Sequence, residues 1–227
     1  MSDLRASPEH LALFLAHLKR RESSVAYFYC DTKRLVTIAT GQLVDKDAAD
    51  DAVGRRQARE LEGRSDVRFK TATGTAASAA DVEADWQRVK DYGRAHPTAR
   101  ARDYRLVAQL RIDEASIRSI TTTKVSRFCA DLYQKRRFVI DYDPRVSMAF
   151  VDVLYHPARV ALFGHDPSVA AMWRALDPSH AQFDPTTAVV LFEKIWAKRA
   201  TPVYSTRHME RVAWLRAALL ENGLQSA

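Results

Sequence analysis

Glu22 and Asp31 stand nine residues apart, and Thr37 follows Asp31 by six. Two carboxyl groups and a hydroxyl at short range are the parts of a general acid–base site. Hydrolysis of a glycosidic bond needs one carboxyl group protonated, to give a proton to the leaving oxygen, and another ionised. The two must therefore occupy different environments. Glu22 lies four residues after Leu18 and extends the helical stripe Leu11, Phe14, Leu15 and Leu18, where apolar surroundings favour the protonated form. Asp31 opens the polar run Asp31-Thr32-Lys33-Arg34, where water keeps a carboxylate ionised. The Thr37 hydroxyl can orient a water beside Asp31. Singly, each residue has a plain structural use: Asp suits turns, Glu suits solvated helix ends and Thr suits strands.

The elements that must position these groups follow from local pattern. Ser7-Pro8-Glu9 is a helix start, with a capping hydroxyl, a proline where no N–H is needed and an acid at the positive end. The β-forming runs Tyr27–Cys30 and Leu35–Ile38 flank the polar turn, which predicts a hairpin. Residues 45–75 are charged and close in "TATGTAAS", which predicts a surface excursion. "SAADVEADWQRVKDYG" predicts a helix with Val82, Trp86 and Val89 on one face, and "GRAHPTARAR" a loop. Alternation of Tyr104, Leu106, Ala108, Leu110 and Ile112 predicts a strand. Asp113 is expected to cap a long helix carrying Ile117, Ile120, Phe128 and Leu132. "DPRVSMAFVDVLYHP" and "PSVAAMWRAL" predict buried helices, Asp184-Pro185 opens another, and a last helix runs from about Thr206 to Asn222-Gly223. The expected class is α+β, mainly helical.

Composition narrows the choices. Apolar residues make up 47% of the 227, enough to build a core and against global disorder. The net charge of +7 favours polyanionic partners, namely nucleic acid, anionic lipid or anionic wall polymer, without choosing among them. No helix-turn-helix or aromatic RNA platform is visible, so nucleic acid is not the expected partner. Cys30 and Cys129 form no CxxC or Cys/His cluster, so no metal is expected; they read as two buried free thiols, or as one bridge if they meet in space. The seven histidines show no HxxxH or HxH spacing, and there is no GxSxG, P-loop or GxGxxG. The four tryptophans fall at helical core spacing, where one could still line a sugar cleft. No signal peptide and no apolar run long enough for a membrane span is seen, so the expectation is synthesis in the cytoplasm.

With the spacing Glu22, Asp31, Thr37 set beside the text "Y-x-D-T-x-x-x-x-T-I-x-x-G-x-L" from Tyr29 to Leu43, the chain resembles the phage-type lysozymes, glycoside hydrolase family 24. The resemblance implies a lysozyme-like fold. A small hairpin-containing lobe with an enlarged insertion would span about 23–112. A larger helical lobe would comprise about 1–22 and 113–227. It implies Glu22, Asp31 and Thr37 as catalytic residues and Gly41 and Gln42 as substrate-binding. It also implies an arginine of the last helix that pairs with the catalytic Glu. Arg207 or His208 takes that place, depending on register. Arg207 is favoured because a Glu on an apolar face needs a cation, and Arg211 shares its face. The implied reaction is muramidase cleavage, with inversion and no cofactor, of the β-1,4 bond between N-acetylmuramic acid and N-acetylglucosamine. The implied partners are peptidoglycan glycan strands and, for a secreted antibacterial effector, an immunity or inhibitor protein. The implied place of action is the cell wall or periplasm, reached by phage lysis or a secretion apparatus. The chain departs from the family at Arg34 and Ala39, where the family has glycine, and at Gln42, which replaces a ring or amide. A non-catalytic peptidoglycan-binding protein on the same fold is the alternative, and a basic nucleic-acid-binding protein the more distant one.

Overall fold

The computed structural model describes residues 3–22, 24–45, 50–155, 162–197 and 202–221, the last with side chains for 206–220. Helices account for 65% and strands for 9%, with a small antiparallel sheet, which makes the fold α+β and mainly helical as expected. Among the described residues no helix is long and apolar enough to cross a membrane. The chain divides into two units, one of Met1–Phe14 with Val125–Ala227 and one of Leu15–Lys124. The boundaries fall inside helices α1 (Pro8–Arg21) and α4 (Glu114–Lys135).

In the unit Leu15–Lys124, the expected hairpin forms. β1 (Val25–Cys30) pairs antiparallel with β2 (Val36–Ala39), and β2 with β3 (Gln42–Leu43), in the order β1-β2-β3. The register sets Tyr29 opposite Thr37 and Thr37 opposite Leu43. The apolar faces of Phe28 and Ile38 join Val82, Trp86 and Val89 of α3 (Ala79–Ala95) in one core. Ser78 and Asp81 close a reciprocal capping box at the start of α3. Asp113 caps α4 as expected, its Oδ1 accepting from Ser116 N at 2.8 Å.

Two expectations are corrected here. The charged stretch 45–75 contains α2 (Asp51–Glu62), capped by Asp50, and the short strand β4 (Phe69–Lys70). The alternation across 104–112 is not one strand: Ala101–Leu106 is a 3-10 turn, and only Arg111–Ile112 forms a strand, β5, which pairs with β4. Leu106 is 95% exposed. The reason is a competitor for the backbone donors. The buried Asp85 of α3 accepts from Gln109 N at 2.7 Å and Leu110 N at 3.2 Å, so those amides are withdrawn from any ladder.

The first residue of the supposed excursion, Asp45, is buried. Its carboxylate accepts from Val36 N at 2.9 Å, Trp86 Nε1 at 2.8 Å and Lys90 Nζ at 2.5 Å, and Lys90 is buried too. Gly54 of α2 approaches this group so closely that a Cβ would clash with the Trp86 ring and the Asp45 carboxylate. Cys30, a free buried thiol like Cys129, packs in the same way against Gly93.

In the other unit, three helices start on Asp-Pro, the aspartate capping and the proline pre-setting the first turn. They are α5 (Pro144–Leu154), α6 (Pro167–Leu176) and α7 (Pro185–Ala197), with Asp143, Asp166 and Asp184 bonded to amides within the first turn. Phe150, Trp173, Phe192 and Trp196 pack ring against ring between them, Phe150 meeting Phe192 edge to face. At the N-terminus of α1, the expected capping hydroxyl of Ser7 instead meets His10 Nδ1 at 2.8 Å. The last helix, α8 (Pro202–Arg216), runs into a π turn at Ala217–Glu221. The expected Asn222-Gly223 stop lies outside the described residues.

Removing one half of the buried Asp45–Lys90 pair leaves an uncompensated charge. Asp45→Asn is therefore expected to lower unfolding free energy in urea by about 3–5 kcal/mol. Asp45→Asn with Lys90→Met is expected to recover most of that loss.

Candidate functional site

The hairpin turn is organised by Asp31. Its Oδ1 accepts from Lys33 N at 2.8 Å and Leu35 N at 2.9 Å, an arrangement in which an Asp side chain substitutes for a backbone acceptor. Its Oδ2 has no hydrogen-bond partner among the described residues. The carbonyl of Leu35 accepts from Asp31 N at 3.0 Å and from Thr37 Oγ1 at 3.0 Å. The amide and carbonyl of Leu35 thus hold the Asp31 carboxylate and the Thr37 hydroxyl to one residue. Thr37 is buried, whereas Asp31 is half-buried.

Glu22 occupies the bend after α1, where its N–H still donates to Leu18 O at 2.7 Å. Phe14 and Leu18 are fully buried, and Glu22 at the end of their stripe is half-buried. Tyr29 lies between the two acids in sequence. Burial pushes its hydroxyl up to about 12, and the negative charges of Asp31 and then Glu22 push the same way. Both carboxylates therefore lie within electrostatic reach of one phenol, whose own strand position is opposite Thr37. Glu22, Tyr29, Asp31 and Thr37 all belong to the unit Leu15–Lys124.

The second turn of the sheet carries Gly41 and Gln42. Gly41 has φ +71°, a left-handed conformation that suits glycine, and its carbonyl accepts from Lys124 Nζ of α4 at 2.6 Å. The Thr40 and Thr121 hydroxyls are hydrogen-bonded beside it. Gln42 is opposite Ile38, and its amide nitrogen donates to Leu43 O at 2.7 Å. Arg34 at φ +62° and Ala39 at φ +54° are the non-glycine residues at positive φ among those described. Each costs roughly 1–2 kcal/mol relative to a relaxed backbone.

Arg207, His208 and Arg211 belong to the other unit. Arg207 forks onto the buried carboxylate of Asp152 in α5, with Nε 2.7 Å from Oδ2 and Nη2 bonded to Oδ1. Arg211 Nε reaches Asp152 Oδ2 at 2.6 Å, and its Nη2 donates to the Asp152 carbonyl at 3.1 Å. The shared helix face expected for the two arginines thus converges on Asp152. His208 is buried, stacks on Phe192 and donates from Nε2 to Glu193 O at 3.1 Å. Burial lowers its pKa, so the imidazole is held neutral.

Tyr29, Asp45 and Asp152 are the residues that sequence reading passed over. For Tyr29 a signal existed: it is flanked by Glu22 and Asp31 and lies across from Thr37. Among the described residues no group of three His, Cys, Asp or Glu side chains could hold a metal ion.

Asp31 carries two separable duties, a turn acceptor and a charge. Asp31→Ala is expected to destabilise the fold by about 0.5–2 kcal/mol in urea unfolding, as loss of a capping side chain does. Asp31→Asn, which keeps an acceptor oxygen, is expected to stay near wild-type stability while removing the charge. No family model matches the chain, and no curated protein or solved structure does.

Proposed function

We propose that the chain is a peptidoglycan muramidase, hydrolysing the β-1,4 bond between N-acetylmuramic acid and N-acetylglucosamine. The observation that carries this reading is conformational. Arg34 and Ala39, the non-glycine residues at positive φ among those described, fall on the two positions where the phage-type lysozymes have glycine. Glycine is the residue that favours positive φ, so this conformation at the two positions supports the reading. Side chains at both positions add strain, and strain of this kind is retained where the surrounding structure fixes it.

In this reading Glu22, half-buried at the end of an apolar stripe, gives its proton to the glycosidic oxygen as the bond to the anomeric carbon breaks. Asp31 takes a proton from a water through Oδ2, since Oδ1 is engaged by the turn. Thr37 shares the Leu35 peptide with Asp31 and gives that water a second contact. The water oxygen bonds to the anomeric carbon from the face opposite the leaving group, so the configuration inverts. Tyr29, opposite Thr37 in the sheet, stays protonated at neutral pH and adds no charge there. Action at the cell wall after phage lysis or secretion is part of the same proposal.

Glu22→Gln is expected to cut release of soluble fragments from purified peptidoglycan by at least ~10²-fold, the usual loss for a general acid, while the melting curve stays that of a folded protein. A folded Glu22→Gln protein with near-normal turnover would overturn the assignment. Wild-type protein that sediments with sacculi but releases no fragments would select the glycan-binding alternative, in which the strained turn serves recognition only.

A further inference from the structure

A cavity of about 490 Å³ lies in the unit that holds α5 to α8, far in sequence from the hairpin. One wall is the C-terminal end of α4 and the residues that follow, Lys135, Arg136, Arg137 and Phe138. The other is α6 and its following turn, including Trp173, Arg174, Asp177, Ser179 and His180. Four permanent cations face one carboxylate. One oxygen of that carboxylate is engaged locally, since Asp177 Oδ1 accepts from Ser179 N at 2.9 Å and Ser179 Oγ at 2.7 Å.

Arg136 is the informative residue. Its guanidinium lies over the Trp173 ring, 5.1 Å from the centroid, a cation–π contact. Nη1 donates to the Lys135 carbonyl at 2.8 Å. Nε is buried and has no hydrogen-bond partner among the described residues. Burial pushes this guanidinium below its ordinary value, with Asp177 opposing. A cation at a helix C-terminus has a structural use against the helix dipole, which accounts for Lys135 and Arg136. The same use applies to Arg174, in the last turn of α6, whose Nε is fixed by Gln182 Oε1 at 2.9 Å, but it does not account for Arg137. Three forked guanidiniums and a lysine thus line one cavity that holds a single carboxylate.

We propose that this cavity binds a phosphate ester. The phosphate supplies several acceptor oxygens and one to two negative charges, the chemistry that forked arginine donors recognise. The organic part of the ester occupies the remaining volume against Phe138, Ala170 and Trp173. The Arg136 guanidinium, held beside Trp173, is the anchor, and Arg137 and Arg174 neutralise the charge. This site is independent of the muramidase reading and survives its failure.

The test is isothermal titration of the full chain with glycerol 3-phosphate and with inorganic phosphate, at constant ionic strength. One-site saturable heat is expected for both, tighter for the ester. Arg136→Gln and Arg137→Gln should each weaken binding about tenfold or more, the loss of one charge-assisted contact. Arg102→Gln, an exposed cation of the other unit, should change nothing. Unliganded melting curves report folding. If Arg136→Gln proves unstable, the exposed Arg137 and Arg174 still decide the matter. Absence of saturable heat, unchanged affinity in the cavity variants, or equal weakening by Arg102→Gln would overturn the proposal.

Discussion

The buried Asp45 carboxylate is the interaction on which the candidate site depends. It joins the backbone of β2 at Val36 to the side chains of Trp86 and Lys90 on α3. Thr37 is the next residue along β2, so the lock sets the strand beside the hydroxyl. The opposite end of the sheet is held by α4, where Lys124 meets the Gly41 carbonyl and Thr121 meets Thr40. The hairpin is thereby clamped near both of its ends, and the Asp31 turn projects from a rigid support. Catalytic groups held to within fractions of an ångström need such support. A buried ion pair is a weak source of net stability compared with an apolar pair of the same volume. Its value here is geometric, because it fixes which face of α3 the sheet rests on.

Much of the fold was legible from residues close in sequence. The Asp-Pro starts of α5, α6 and α7, the Asp113 cap and the Val82-Trp86-Val89 stripe are local signals, and each produced the expected element. The hairpin was legible because β-formers flank a turn whose Asp side chain replaces a backbone acceptor. What was not legible came from pairings across long sequence separations. Nothing near Asp45 announces that Trp86 and Lys90 will surround it, so it read as a surface charge. Asp85 captures the Gln109 and Leu110 amides in the same manner, and a sequence with strand-like alternation became a turn and a short bridge. In the helical unit, Asp152 sits within the apolar helix α5, and its partners Arg207 and Arg211 come from α8.

The candidate site itself was legible as spacing, not as environment. Glu22, Asp31 and Thr37 could be picked out by interval. That Asp31 and Thr37 both bond to Leu35, and that Tyr29 feels both carboxylates, required the folded backbone. The positive φ of Arg34 and Ala39 shows the same dependence in reverse. Neither residue favours that conformation by itself, yet the turn and the strand crossing impose it on both. The basic composition also resolves into distinct uses. Some cations, such as Lys90, Arg207 and Arg211, neutralise buried carboxylates, whereas those around Trp173 gather without an equal number of acids.

The most direct measurement is identification of the sugar at the new reducing ends when the wild-type protein digests purified peptidoglycan. The fragments are reduced with borohydride and analysed by mass spectrometry. A muramidase acting through Glu22 and Asp31 with water as nucleophile leaves N-acetylmuramic acid at the reducing end, recovered as its alditol. Fragments ending in reduced N-acetylglucosamine, in anhydro-muramic acid, or no fragments at all would contradict hydrolysis of this bond by this pair of carboxylates.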